Sequence, residues 1–182
     1  YINTFEPQKR SRIDQEATLF HELIPGHHFQ FALSFEDKSH HGLDKYLWNA
    51  GFGEGWALYT ERLTDEMGLY SDDISRLGML SNEALRTARL VVDPGLHVMG
   101  WSRQQAVDYL KQHTALDENI IESEVDRYIM TPGQATSYML GKREIENLRQ
   151  LAKVSLGERF DIREYHYQVL KNGAVTLPML RA

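Results

Sequence analysis

Apolar residues recur at helical spacing along most of this chain, and short polar or Pro-Gly segments separate the apolar runs. This spacing predicts amphipathic helices, because a strand would alternate apolar and polar residues. The first run begins near residue 12, is interrupted by Pro25-Gly26 and ends near residue 36. Further predicted helices cover residues 56–68, 72–92, 102–113, 117–128, 131–156 and 162–170.

Capping residues, prolines and glycines set the predicted boundaries of these helices. The predicted N-terminal caps are Ser71, Ser102 in a capping box with Gln105, Asp117, and Thr131 in a second box with Gln134. Pro132 would occupy the first position of its helix, and Gly157 would end that helix. Residues 93–95, Asp-Pro-Gly, are expected to interrupt a helix. Glycines at positions 51, 53 and 55 are expected to form a flexible segment that leads into the helix predicted for residues 56–68.

Extended structure is predicted only at the two ends of the chain. Residues 1–11 are polar and suggest an arm or an edge strand, and the apolar tail at 174–180 is expected to dock on the core. Residues 37–42 suggest a polar loop and residues 43–48 a short helical turn. The predicted fold is therefore mainly α: one multi-helix domain over residues 1–182. This pattern weighs against nucleotide-binding folds, in which strands and helices alternate.

Composition narrows the chemistry available to such a domain. The chain has 182 residues, a net charge of −6 and no cysteine. The mild acidity weighs against nucleic acid and anionic membranes as partners. Without cysteine, a metal ion must be held by histidine and carboxylate side chains, a ligand set that suits a catalytic zinc better than a structural one.

The segment with the strongest chemical signal is His21-Glu22-Leu23-Ile24-Pro25-Gly26-His27-His28. It begins like the zinc-peptidase motif H-E-x-x-H, in which two histidines one helical turn apart hold the metal and the glutamate is the general base. Proline stands where the second histidine should be. On a continuous helix, a six-residue step turns about 600° and rises about 9 Å, so the two histidines would not meet.

A local bulge would remove this difficulty. Proline disfavours helix at the residue before it, and Gly26 can adopt conformations closed to other residues. If residues 23–26 loop out, His21 and His27 can pair, with His28 as the alternative second ligand. The competing interpretation is a kinked core helix with partly exposed histidines, and these eight residues alone do not favour either.

The best candidate for a third ligand is Glu54, which lies between two glycines and beside Trp56. The two glycines have no side chains that would keep the Glu54 carboxylate from approaching a metal closely. Glu61 lies seven residues further on the same helical face, as a weaker ligand candidate or an outer partner of a ligand. Alternatively, Glu54 faces solvent in a first helical turn, where the helix dipole favours an acidic residue.

Glu22 is then the candidate base that takes a proton from water, and Tyr138, His97 and Arg89 are candidate donors to the oxyanion. Each has an ordinary structural alternative: a core tyrosine, a helix-end histidine, and an arginine paired within its helix. Arg86 and Arg89 would make that pair with Asp93. The remaining histidines, His40, His41, His113 and His166, are predicted to lie on the surface.

Several motifs together resemble a large bacterial family, the domain-of-unknown-function family 885. They are H-E-x-x-P-G-H-x-x-Q from His21 to Gln30, E-G-W-A-L-Y-x-E from Glu54 to Glu61, R-x-x-R-L-V-V-D-x-G-x-H from Arg86 to His97, G-W-S from Gly100 to Ser102, and P-G-Q-A-x-S-Y from Pro132 to Tyr138. They occur in order over nearly the whole chain. Family members are usually longer, so the resemblance implies that this chain is the C-terminal part of such a protein.

The resemblance also implies a fold akin to the zinc peptidases that include angiotensin-converting enzyme. It implies one zinc ion held by His21, His27 and Glu54, with Glu22 as the base and Tyr138 steadying the oxyanion. In the family pattern the first histidine after the glycine is the fixed one, which favours His27 over His28. Gln30 resembles a residue found shortly after the second ligand in those peptidases.

These observations leave three functional hypotheses. The first is a zinc-dependent peptidase domain that acts on a peptide substrate, together with the missing N-terminal portion of the same protein. The second is a metal-dependent hydrolase of non-peptide amides. The third is a helical binding or assembly domain without turnover. Loss of turnover in Glu22→Gln is expected for the first two, which differ only in substrate.

Overall fold

The computed structural model describes residues 12–36 and 46–182, and these residues form helices with no strand among them. The mainly α fold class is therefore confirmed. The extended segment predicted for residues 1–11, the loop at 37–42 and the first half of the turn at 43–48 lie outside the described residues. The helices are α1 (Gln15–Glu22), α2 (His27–Glu36), α3 (Ala50–Glu66), α4 (Asp73–His97), α5 (Arg103–His113), α6 (Glu118–Met130), α7 (Gln134–Leu156), α8 (Ile162–Leu170) and α9 (Leu177–Arg181).

Helix α4 corrects two of the sequence predictions. Asp72, not Ser71, is its N-cap, and the Asp72 carboxylate accepts a hydrogen bond from the Ser75 amide at 2.7 Å. The helix also continues through Pro94 to His97 instead of being interrupted. Gly95 packs so tightly against the Trp101 ring that an added Cβ would lie 2.6 Å from it. This tertiary contact holds the last turn in place although proline removes one helical hydrogen bond.

The start of α7 also differs from the prediction. The helix begins at Gln134 after Gly133, which has the left-handed φ of 81°, so the expected capping box with Thr131 is absent. The Gly133 amide instead donates to both carboxylate oxygens of Asp93, each at 3.1 Å. The other predicted box, between Ser102 and Gln105, is present and starts α5. Gly157 ends α7, as predicted.

Helices α3 and α7 cross at very short distance because glycines lie at the contact. A Cβ on Gly55 would lie 2.4 Å from the Gly141 Cα, and a Cβ on Gly141 would lie 1.8 Å from the Gly51 carbonyl oxygen. Gly51, Gly53 and Gly55 therefore belong to helix α3, and the flexible entry predicted there is wrong. These glycines allow the close approach that a side chain would prevent.

Two large apolar clusters hold most of the helices together, and a smaller one around Ala17 and Met79 joins α1 to α4. One of the large clusters joins α4, α5 and α6 through buried residues such as Val92, Leu110 and Val125. The other joins α3, α7 and α8 around Trp56 and Ile145. The C-terminal tail docks on this second cluster through Ala174, Val175 and Leu180. It is not extended throughout, because Thr176 caps the short helix α9.

None of the helices in the described part of the chain is both long enough and apolar enough to cross a membrane.

Helices α1 and α2 pack on one face of this assembly. Helix α1 contacts α3 and α4, and α2 contacts α3. The segment that carries the broken motif is thereby placed against the helices that carry the other candidate residues.

Candidate metal centre

The break in the first helical run lies where the sequence predicts a bulge. Helix α1 ends at Glu22, non-helical backbone covers residues 23–26, and α2 starts at His27. A Cβ on Gly26 would lie 1.9 Å from the His21 carbonyl oxygen, so only glycine allows this backbone to fold back on the end of α1. The Trp56 indole nitrogen donates to the Pro25 carbonyl at 2.9 Å and attaches the bulge to α3.

This backbone path brings His21 and His27 together beside Glu54. The ring centroids of the two histidines are 4.9 Å apart. The Glu54 Oε2 atom lies 3.7 Å from His21 Nε2 and 3.4 Å from His27 Nε2. One ligand atom from each residue lies within 4.8 Å of the others, so the group could hold a metal ion.

The neighbouring helix α3 aims Glu54 at the two imidazoles. Gly53 leaves room for the Trp48 ring, which a Cβ would approach to 2.1 Å, and Trp48 in turn packs 5.8 Å from the His27 ring. Burial opposes ionisation of Glu54, but the two histidines outweigh it and lower the pKa of Glu54 to about 2. The carboxylate is therefore charged throughout the neutral range.

Glu61 fixes the orientation of the first histidine. Its Oε1 atom accepts a hydrogen bond from His21 Nδ1 at 2.7 Å, and both side chains are buried. With the proton on Nδ1, the lone pair of Nε2 points towards Glu54. Burial would lower the pKa of His21, but Glu54 and Glu61 together raise it. If His21 holds a metal ion, Glu61 is placed as the outer partner of this ligand.

A cavity of about 420 Å³ opens beside these three residues. Its volume lies in the range typical of small-ligand sites, roughly 300–1,000 Å³. The exposed side chain of Glu22 lines it next to His21, and the Tyr138 ring stacks on His21 with 6.3 Å between centroids. The lining residues are Thr18, His21, Glu22, His27, Phe31, Trp48, Glu54, Arg86, Arg89 and Tyr138.

The two arginines of α4 meet the Tyr138 ring at this cavity. The guanidinium carbon of Arg89 lies 4.9 Å from the ring centroid and that of Arg86 lies 5.8 Å away. Neither pairs with Asp93, the intrahelical partner considered from the sequence, because Asp93 binds the start of α7. Arg89 instead pairs with Glu124 of α6 at 2.7 Å.

Three other candidates lie away from the cavity lining. His97 donates from Nε2 to the Tyr128 carbonyl oxygen at 3.0 Å, so its placement gives it no contact with the site. His28 is exposed on α2, and Gln30 is buried in α2.

The prediction that His166 lies on the surface is wrong. It is half-buried beside Tyr59, with 2.7 Å between Nε2 and the hydroxyl, and burial lowers its pKa to about 4.

Four lining residues were not singled out for the site from the sequence. Thr18 and Phe31 lie one helical turn before His21 and one after His27, so helical spacing carries a signal for both. Arg86 lies one turn before Arg89 and carries the same kind of signal. Trp48 lies in a non-helical stretch before α3, where no periodicity indicates its direction.

The fold and the site define a class: an all-helical domain with a cluster of two histidines and one glutamate that could hold a metal ion. The chain belongs to the family described as bacterial protein of unknown function (DUF885), whose profile matches residues 1–182. No match was found among curated proteins.

Two solved structures show the same fold. The crystal structure of a candidate lipoprotein from Colwellia psychrerythraea is 39% identical, with a TM-score of 0.94 over 98% of this chain. The structure of a candidate lipoprotein of unknown function from Shewanella oneidensis is 27% identical, with a TM-score of 0.86 over 94% of this chain. The chain spans 31% of the length of each of them.

Proposed function

We propose that this chain is the metal-binding part of a zinc-dependent peptidase, with His21, His27 and Glu54 as the zinc ligands. The observation that carries the proposal is the meeting of these three side chains across a broken helix. Two imidazole nitrogens and one carboxylate oxygen are a ligand set found in catalytic zinc sites, which keep a further position open. The hydrogen bond from His21 to Glu61 adds the outer partner that such histidines usually have.

A zinc ion held there would act as a Lewis acid towards a peptide carbonyl and would lower the pKa of water. The Glu22 carboxylate, exposed at the cavity, accepts a proton from the attacking water and passes it to the leaving amine. The Tyr138 hydroxyl donates a hydrogen bond to the carbonyl oxygen as negative charge develops on it. The stacked rings of Phe31 and Trp48, with 5.7 Å between centroids, form an apolar part of the cavity wall.

The proposal is tested by incubating the zinc-loaded protein with a peptide library and identifying the products by mass spectrometry. Wild type is expected to cleave, and Glu22→Gln is expected to retain zinc but lose cleavage. Glu36→Gln, an exposed carboxylate at the end of α2, is the matched control and is expected to cleave normally.

Each other outcome has a definite meaning. Turnover of non-peptide amides without peptide cleavage would support the amide-hydrolase hypothesis. Bound zinc without any hydrolysis would support a binding or assembly domain. Equal cleavage by wild type and Glu22→Gln would remove Glu22 from the mechanism.

A further inference from the structure

Two cationic side chains lie side by side in the wall of the cavity. Arg86 and Arg89 are three residues apart on α4, and both guanidinium groups lie over the ring of Tyr138. Like charges at such short range repel each other, most strongly when they are shielded from water. The arrangement therefore requires negative charge nearby, and the question is which group supplies it.

The hydrogen bonds show an acidic partner for Arg89 but none for Arg86 among the described residues. Arg89 donates from Nε to the Tyr128 hydroxyl at 2.9 Å and from Nη2 to Glu124 at 2.7 Å, but its buried Nη1 has no partner in the described segments. Arg86 makes a single long bond, 3.4 Å, from Nη1 to the Asn82 carbonyl oxygen. Its Nε is also buried without a partner.

No carboxylate among the described residues forms an ion pair with Arg86. Glu124 is already bound by Arg89. The buried acid Glu61, whose charge acts on Arg86, is held by His21 through one oxygen, and its other oxygen has no hydrogen-bond partner in the described segments. Burial lowers the pKa of Arg86, and the charge of Arg89 adds to this effect, against the opposing influence of Glu61. A buried cation in this position is costly unless an anion reaches it.

We propose that Arg86 and Arg89 form a carboxylate-binding subsite of the cavity, so that the substrate carries a carboxylate close to the bond that is cleaved. Both guanidinium groups line the cavity, and their N–H groups would donate to the two carboxylate oxygens, as arginines do with carboxylates. A singly charged carboxylate fits better than a phosphate, because Glu22 and Glu54 line the same cavity and repel a dianion more strongly.

This inference rests on the proposed function and defines its substrate class. The cavity of about 420 Å³ suits a short peptide. The carboxylate has two chemical sources: the free C-terminus of a peptide, or an aspartate or glutamate side chain. In the first case the protein would remove residues from peptide C-termini, and in the second it would cleave next to acidic residues.

The test measures binding and therefore does not depend on turnover. Zinc-loaded Glu22→Gln protein is titrated calorimetrically with N-acetyl-Ala-Ala, with its C-terminal amide, and with N-acetyl-Ala-Asp amide. At least one of the two acids is expected to bind about tenfold or more tightly than the neutral amide, as for a charged hydrogen bond. The acid that binds more tightly identifies the source of the carboxylate.

Substitutions at Arg86 then assign the effect. Adding Arg86→Gln to this background is expected to remove the preference for the acid, and Arg86→Lys is expected to restore part of it. Arg143→Gln, an exposed arginine on α7, is the matched control and is expected to keep the preference. Circular dichroism and zinc content show that each variant is folded and loaded.

Equal binding of the acids and the amide to the Glu22→Gln protein would overturn the inference. It would also be overturned if Arg86→Gln lowered zinc content and left the ratio of acid to amide binding unchanged, because Arg86 would then serve only to balance the charge of Glu61. Failure of the proposed function gives a different result: an acid preference that depends on Arg86, with no hydrolysis by the wild type.

Discussion

Replacing Glu61 by glutamine should weaken metal binding without removing a ligand. The Glu61 carboxylate accepts the His21 Nδ1 proton at 2.7 Å, and both groups are buried, so the bond is charge-assisted and poorly screened. Glutamine can still accept the hydrogen bond but loses the charge. Loss of such an outer partner typically reduces metal affinity by about 10–100-fold. At about 1.4 kcal/mol per factor of ten, this corresponds to roughly 1.4–2.8 kcal/mol.

Glu61→Ala should lie at the upper end of this range or beyond it, because it leaves the buried His21 Nδ1–H without an acceptor, at a cost of about 1–3 kcal/mol. Zinc affinity is measured by competition with a chromophoric chelator at fixed pH. Glu66→Gln is the matched control on the same helix, because its partly exposed carboxylate pairs with Arg149 and does not line the cavity. It is expected to bind zinc like the wild type.

Two results would refute this reasoning in different ways. Unchanged affinity in both Glu61 variants would show that the carboxylate does not orient His21. Complete loss of zinc in Glu61→Gln, as severe as in His21→Ala, would show that Glu61 is itself a ligand.

Three further predictions concern catalysis, packing and acid stability. Tyr138→Phe should keep zinc but lower kcat by about 10²–10³-fold, the usual loss for one oxyanion donor, and a normal rate would exclude it from the mechanism. Gly55→Ala should destabilise the fold by about 1–3 kcal/mol in urea unfolding because the new Cβ meets Gly141, whereas Gly51→Ala, with contacts near 3.3 Å, should cost less. Burial raises the pKa of Glu124, but its arginine and tyrosine partners outweigh this and set it at about 2. This carboxylate should therefore contribute up to about 3 kcal/mol of stability above its unfolded pKa, lost as the pH falls towards 2. The stability difference between wild type and Glu124→Gln should shrink over that range, and a difference independent of pH would contradict this.

Local signals in the sequence predicted the helical fold and several helix ends. The capping box of Ser102 and Gln105 and the helix stop at Gly157 depend on neighbouring residues only, so they are readable from the sequence. Pro94 was misjudged because the packing of Gly95 on Trp101 extends α4 past the proline. The glycines of α3 were misjudged for a similar reason: Gly51 and Gly55 lie at the close contact with α7 and Gly53 makes room for Trp48, and both contacts are tertiary.

The candidate site shows the same division. A broken histidine motif with a Pro-Gly step pointed to a bulge, and the structure has non-helical backbone there. The partner of Arg89 could not be predicted, because Glu124 lies 35 residues away on another helix. The motif that contains His97 does not indicate which way its side chain points. Its hydrogen bond to the Tyr128 carbonyl depends on how α4 packs against α6.

The central claim is that the bulge creates a metal site from His21, His27 and Glu54. The most direct test is the zinc content of the purified protein by elemental analysis, for wild type, His27→Ala and His28→Ala after zinc is supplied and excess removed. The account predicts close to one zinc per chain in wild type and His28→Ala, and little in His27→Ala. No zinc in the wild type, or equal zinc in all three proteins, would contradict it.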